Sequence, residues 1–261
     1  QEKGNGKLTV NADNEGIETR LHMAVNGGEI TVNANDDSMN AGEDGVSVIT
    51  INGGILTCDS GSGDGDEGDG IDSNGWIVIN DGYIIACANA RSQDSGLDSD
   101  NGIYINGGTV LASGHMYDEV KEDSKQSFMV LNFAQDVTED EIILLSDAND
   151  NPVSAFSAVN DYSIVVYSTP ELKDGDYKLY KAGSVEGKLN GSIYTDITGT
   201  GEIKQLGYTG TQMMGGPGGG FGGPQGEMPE GVEPGQMPEG MEPGQMPEGM
   251  KQGQQPPEMP Q

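Results

Sequence analysis

The sequence predicts an all-β chain, a parallel β-helix with three short strands per coil, and three observations carry that prediction. A turn motif returns at nearly constant spacing as Val25-Asn26-Gly27-Gly28, Ile51-Asn52-Gly53-Gly54, Ile79-Asn80-Asp81-Gly82 and Ile105-Asn106-Gly107-Gly108, its asparagines 26, 28 and 26 residues apart. A second motif keeps step with it: Gly16-Ile17-Glu18-Thr19, Ser38-Met39-Asn40-Ala41, Gly70-Ile71-Asp72-Ser73 and Gly96-Leu97-Asp98-Ser99. A fixed period in this range marks a stacked solenoid, each unit burying its apolar face only against its neighbours. The third observation is composition. With 43 Gly, 12 Pro and 33% hydrophobic residues among 261, the chain has too little apolar material for a broad core, whereas a narrow core along a stack fits.

Taken in order, Lys7-Leu8-Thr9-Val10 reads as a short opening strand. Four coils follow, over residues 11 to 34, 35 to 59, 60 to 88 and 89 to 114. In each, three runs with apolar residues at period two are separated by Asn-Gly or Gly-Gly, which accept the positive φ of tight turns. In the third coil the runs are Ile71 to Ser73, Trp76 to Ile79 and Tyr83 to Ala86. The period then dictates four inward columns: Ile17, Met39, Ile71, Leu97; Met23, Ile49, Ile77, Ile103; Val25, Ile51, Ile79, Ile105; and Ile30, Leu56, Ile84, Val110. Every position is apolar in all four coils. The four motif asparagines are expected to form an amide ladder at a corner. Cys58 and Cys87 fall in opposite phase, so Cys58 is expected inside and Cys87 outside, both as thiols.

The repeat stops between Gly114 and Lys125, and the runs Phe128 to Phe133, Glu141 to Leu145, Val153 to Ser157, Tyr162 to Tyr167 and Tyr177 to Tyr180 read as longer strands. Covering the open end of the stack is the job such a segment suggests. From Gly210 onward Gly, Pro, Glu, Met and Gln dominate, with three nine-residue units starting at Glu230, Glu239 and Glu248, the composition of a disordered spacer. The domain reading is therefore 1–114 for the coils, 115–209 for a β-rich accessory segment and 210–261 for the tail.

A net charge of −31 argues against nucleic acid and anionic membranes as partners and favours cations. No run reaches the length of an apolar membrane span, and the first residues carry no apolar signal core, so an exported form would have lost its signal already. In register, Glu15, Asp37, Asp69 and Ser95 stand two places before the first inward column, and Glu18, Asn40, Asp72 and Asp98 one place after it. Neighbouring coils lie about 4.8 Å apart, so these are ladders of carboxylates. Between residues 13 and 100 there are 18 Asp or Glu against Arg20 and Arg91 alone. Such a face either raises its pKa values or holds hard cations, and calcium suits clustered carboxylates with loose geometry. The expected ligands are Asp36, Asp37, Asp69, Asp72, Asp94 and Asp98, with Asp64, Asp66 and Glu67 forming a more exposed site. The EF-hand pattern fails, since counting from Asp64 puts glycine at the fifth and twelfth places. A solvated acidic face is the alternative.

The DGID and INGG motifs, each leading into an apolar strand, together with YSIVVYSTPELKDGDYKLYKAGS and the Gly-rich end, resemble the carbohydrate-binding, polysaccharide-lyase-like β-helix proteins of clostridia and related bacteria. The resemblance spans residues 11 to 209. It implies a right-handed helix, bound calcium, an extracellular or cell-surface location, and binding of cellulose or acidic plant sugars such as polygalacturonate. Met39-Asn40 departs from the Gly-Ile-Asp pattern in the second coil. For a neutral glucan flat aromatic rings matter, and Trp76 and Tyr104 fall on outward positions of one strand face, with Tyr83 on the next; packing beneath residues 115–209 is their other possible fate. Calcium-dependent lyase chemistry on uronates would need a base, and none of Arg20, Arg91, Lys121, Lys125, His22 or His115 stands out for it. The expected function is non-catalytic polysaccharide binding, with a uronate lyase and a calcium-stiffened surface spacer as the other readings.

Overall fold

The computed structural model describes residues 4–61, 65–139 and 141–213; the tail expected from residue 210 lies, after Met213, outside them, as does Asp64. Among the described residues all regular structure is β, and the repeats stack as a β-solenoid of about four turns. β1 (Lys7–Ala12) opens the stack, followed by β2 (Ile17–Thr19), β3 (His22–Val25) and β4 (Glu29–Ala34). The second turn contributes β5 (Met39–Ala41) and β6 (Val48–Ser60), the third β7 (Ile71–Ser73) and β8 (Trp76–Cys87), and the fourth β9 (Leu97–Ser99), β10 (Gly102–Ile105) and β11 (Thr109–Gly114). In the second and third turns a single long strand runs through the Asn corner, where a break was expected.

The short strands β2, β5, β7 and β9 form a four-stranded parallel sheet, pairing Ile17 with Met39, Met39 with Ile71 and Ile71 with Leu97. The other strands of the turns pair in parallel as β1-β4-β6-β8-β11, with β3 against β6 and β10 against β8. All four inward columns meet in one core, of which Ile49, Ile71, Ile77 and Ile105 are fully buried and only the first-turn Ile17, Met23 and Ile30 remain partly open. β-branched side chains, stiff at χ1, suit a stack in which each must sit on its own copy. At the corner the amide ladder forms as expected: Asn52 Nδ2 donates to Asn26 Oδ1 (2.9 Å), Asn80 to Asn52 (2.8 Å) and Asn106 to Asn80 (3.0 Å). Gly54 follows with φ +104°, and a Cβ there would lie 2.7 Å from Gly28 O, so only glycine fits.

The repeat motif ends at Gly114, but the backbone winds on. Met116 pairs with Ser95 and Val120 with Ile103, both in parallel, and Gln126 N donates to Ile105 O (3.0 Å). The remaining strands are β12 (Phe128–Val137), β13 (Ile142–Asp147), β14 (Pro152–Phe156), β15 (Tyr162–Ser168), β16 (Tyr177–Ala182), β17 (Val185–Asn190), β18 (Ile193–Thr200), β19 (Ile203–Leu206) and β20 (Tyr208–Met213). Antiparallel β15, β12 and β20 extend the large sheet beyond β11, and Phe128, Val130 and Val166 close the solenoid core. A six-stranded antiparallel sheet, β17-β18-β14-β13-β16-β19, shares a second core with the outer face of the solenoid at Ile85, Cys87 and Leu111. Cys58 and Cys87 do point to opposite sides, yet both are free thiols at 0% exposure, because that second core covers the outer one.

Candidate functional site

The acidic ladder occupies the loops that lead into the four-stranded sheet and the central, outward residues of its three-residue strands. Tight spacing between turns shapes the loops: a Cβ on Gly70 would lie 2.5 Å from Gly96 O, and one on Gly96 2.3 Å from Ala86 O. In the second turn Ser38 takes this place, fully buried, its hydroxyl 2.9 Å from that of Ser60. With the backbones this close, carboxylates cap amides of the neighbouring turns. Asp37 Oδ1 accepts from Asp69 N (2.7 Å), Asp69 Oδ1 from Ser95 N (2.7 Å), and Asp94 Oδ2 from Gly68 N (2.7 Å). One oxygen of each is thereby fixed, as a positioned ligand requires.

At the first-turn end Glu15, Asp36 and Asp37 converge, each half-buried, with one carboxylate oxygen apiece within 4.8 Å of the others. Among the described residues no other His, Cys, Asp or Glu trio comes together in this way. Glu15 Oε2 is buried without a hydrogen-bond partner, and burial, with Asp37 and Asp36 nearby, pushes Glu15 up to about 7. Burial likewise lifts Asp37 to about 7, against the opposing pull of its bond from Asp69 N. Along the ladder burial raises Asp69 to about 8 and also lifts Asp98 and Asp72, which pair in register with Asp118 close by. An all-oxygen donor set with an orphaned buried oxygen fits a hard divalent cation.

Of the expected ligands, Asp36 and Asp37 join the trio, while Asp69, Asp72, Asp94 and Asp98 line the ladder beyond it. Asp66 and Glu67 are exposed in the loop before Gly68 and stand apart from the trio. Glu15 completes the trio without having been singled out from its column. Asp118, which caps Ser99 N (2.9 Å), lies in the turn that lost the repeat motif, so no spacing signal marked it.

The three expected sugar-binding aromatics are mostly covered. Trp76 is 4% exposed and pairs in register with Gly102, over which the Lys121 stem lies; its indole Nε1 has no partner. Tyr83 packs into the second core. Tyr104 is half-buried, pairs with Val78 rather than Trp76, and has its phenol raised by burial and by Asp123 and Glu119. Both imidazoles are engaged: His22 Nε2 with Thr50 Oγ1 (3.3 Å), and His115 between Ser163 Oγ (2.9 Å) and Ala90 O (3.1 Å). Arg20 is ion-paired with Glu43, and Lys121 with Glu119 (2.6 Å).

A family model described as carbohydrate-binding domain-containing protein matches residues 2–163, which takes in every repeat of the solenoid and β12 and ends at the start of β15. No curated protein and no solved structure matches the chain.

Proposed function

We propose, from the premise that this chain belongs to the carbohydrate-binding domain-containing family, that it is an extracellular or cell-surface module that holds plant cell-wall polysaccharide, cellulose or polygalacturonate, with the help of calcium and without cleaving it. The family match across the solenoid is the observation that carries the reading. Glu15, Asp36 and Asp37 would hold one ion, and the ladder of Asp69, Asp72, Asp94 and Asp98 offers further oxygens. A bound divalent cation supplies positive charge on a face that otherwise repels uronates, and its open coordination positions suit their carboxylates. Within this reading the solenoid is a right-handed helix of three strands per coil like that of the clostridial lyase-like proteins, residues 1–114 are the coils, 115–209 an accessory segment and 210–261 a spacer.

The engagement of both imidazoles, Arg20 and Lys121 favours binding over lyase chemistry, which needs a free base for the proton at C5. The test is a pulldown of the full chain on insoluble cellulose and on polygalacturonate gel, with calcium and with chelator, while unsaturated product is followed by absorbance. Calcium-dependent retention without product is expected. Retention on neither polymer would leave a calcium-stiffened surface spacer as the better account, and product release would make the protein a lyase.

A further inference from the structure

The outer face of β1, β4, β6, β8 and β11 carries three columns whose chemistry changes along the stack. In register they are Lys7, Glu29, Ile55, Tyr83, Thr109; Thr9, Thr31, Thr57, Ile85, Leu111; and Asn11, Asn33, Asp59, Cys87, Ser113. From the third turn onward the middle column is apolar and fully buried in the second core. Before it the same column is threonine, exposed at Thr9 and half-buried at Thr31 and Thr57. Gly191, in the turn between β17 and β18, stands directly over the change: a Cβ there would lie 2.6 Å from Ile85 Cδ1 and 3.4 Å from Ile55 Cγ2. The six-stranded sheet therefore ends as a step beside an uncovered floor of Thr9, Thr31, Thr57, Asn11 and Asn33.

That floor is built unlike the rest of the surface. The opening strand and its neighbour repeat one pattern, Leu8-Thr9-Val10-Asn11-Ala12 and Ile30-Thr31-Val32-Asn33-Ala34, apolar residues inward and Thr and Asn outward. Rows repeat about every 4.8 Å across the turns, with Thr and Asn about 6.8 Å apart along each strand. Asn33 Nδ2 donates to Asn11 Oδ1 (2.7 Å), which fixes both amides in one plane, and β-branched threonines hold their hydroxyls in few rotamers. Asp59, next in the Asn column, keeps one buried oxygen, Oδ1, without a partner, while Asn160 bonds its carboxylate. In a chain of net charge −31 the margin carries Asp59 and one opposed pair, Lys7 with Glu29 (2.6 Å), and the Thr and Asn side chains of the floor are neutral. Flat, pre-organised, neutral and rich in groups that both donate and accept, it matches hydroxyls and not carboxylates. The family match covers these turns and stops short of β16–β19.

We propose that the Thr–Asn floor on β1, β4 and β6 is the contact face for a neutral, hydroxyl-rich polysaccharide surface such as cellulose, separate from the acidic ladder. This rests on the reading of the chain as a polysaccharide binder and assigns the neutral polymer its own site. The test uses the full chain, with adsorption isotherms on insoluble cellulose and on polygalacturonate gel. Thr9→Lys combined with Thr31→Lys is expected to weaken cellulose adsorption roughly tenfold or more without weakening polygalacturonate retention, since two hydroxyls are lost and the floor is blocked, while added lysines attract uronates. Thr200→Lys, which adds a lysine on exposed β18, and Thr31→Ser, which keeps the hydroxyl, are expected to behave as the unaltered protein. Should circular dichroism show the double lysine variant misfolded, Thr9→Val with Thr31→Val keeps strand preference and is expected to lose roughly fivefold. A folded variant that adsorbs to cellulose undiminished, an equal loss on both polymers, or an unaltered protein that binds polygalacturonate alone would each overturn this assignment while the broader function stands. Binding of neither polymer would overturn both.

Discussion

Glu15, Asp37 and Asp69 hold protons that the same side chains would release in an unfolded chain, because burial raises them from 4.5, 3.8 and 3.8 to about 7, about 7 and about 8. Between about pH 4 and about pH 8 the folded state thus binds more protons than the unfolded one, and stability without metal falls as pH rises through that window. His22, lowered by burial, opposes this as a single group, while Asp147 and Asp150, lowered by hydrogen bonds from Asn151 and Lys178, act only below about pH 4. A bound cation inverts the sign, since it takes the carboxylate form. In chelator the thermal midpoint is expected to decline from about pH 5 to about pH 8, and calcium is expected to restore more of it the higher the pH. A midpoint in chelator that climbs across that range would contradict the ladder's burial. The columns of these carboxylates were legible in the sequence because they repeat. Asp118 was not, since its turn keeps the backbone path but not the motif.

At the scale of one element, the Asn corner is a chain of amides in which each member both donates and accepts. Asn52→Ala removes the donor to Asn26 and the acceptor for Asn80 together. A cost of about 1–3 kcal/mol is expected, read as a lower urea midpoint at unchanged slope. A midpoint shift indistinguishable from zero would mean that water replaces the ladder without loss. Inward columns and ladder could be read from the sequence for one physical reason: in a parallel stack each residue's neighbour is its own counterpart one period away. Trp76 and Tyr83 could not be placed, because what covers them comes from outside the repeat. The switch from Thr57 to Ile85 in one outward column was the available sign that a second layer begins at the third turn.

For the molecule as a whole, the accessory strands are part of the solenoid's stability and not an appendage. Cutting the chain after Gly114 would strip β15 from β11, uncover Phe128's place at the end of the core, and expose Ile85, Cys87 and Leu111 on the outer face. A chain of residues 4–114 is expected to aggregate, a bare parallel edge beside an apolar patch being a template for association. Light scattering and size-exclusion chromatography check this, and a monodisperse monomer would show that the turns stand alone. The sequence suggested an end cover but not its two roles, since β12 and β15 place alternate residues in two different cores, as Val130 and Leu131 do.

The large sheet starts at β1 and ends at β20, eight strands in one hydrogen-bonded path, so Lys7 and Met213 lie at opposite edges, separated by roughly 34 Å measured across the strands. Tension applied between those two residues runs along the hydrogen bonds instead of along the strands. Load then falls on one ladder bond at a time, and the sheet opens like a zip, from an outer strand inward, at low force. A protein wired in this way yields early when stretched and sheds its outer strands in sequence, while the columns of isoleucine nearer the middle are the last to part.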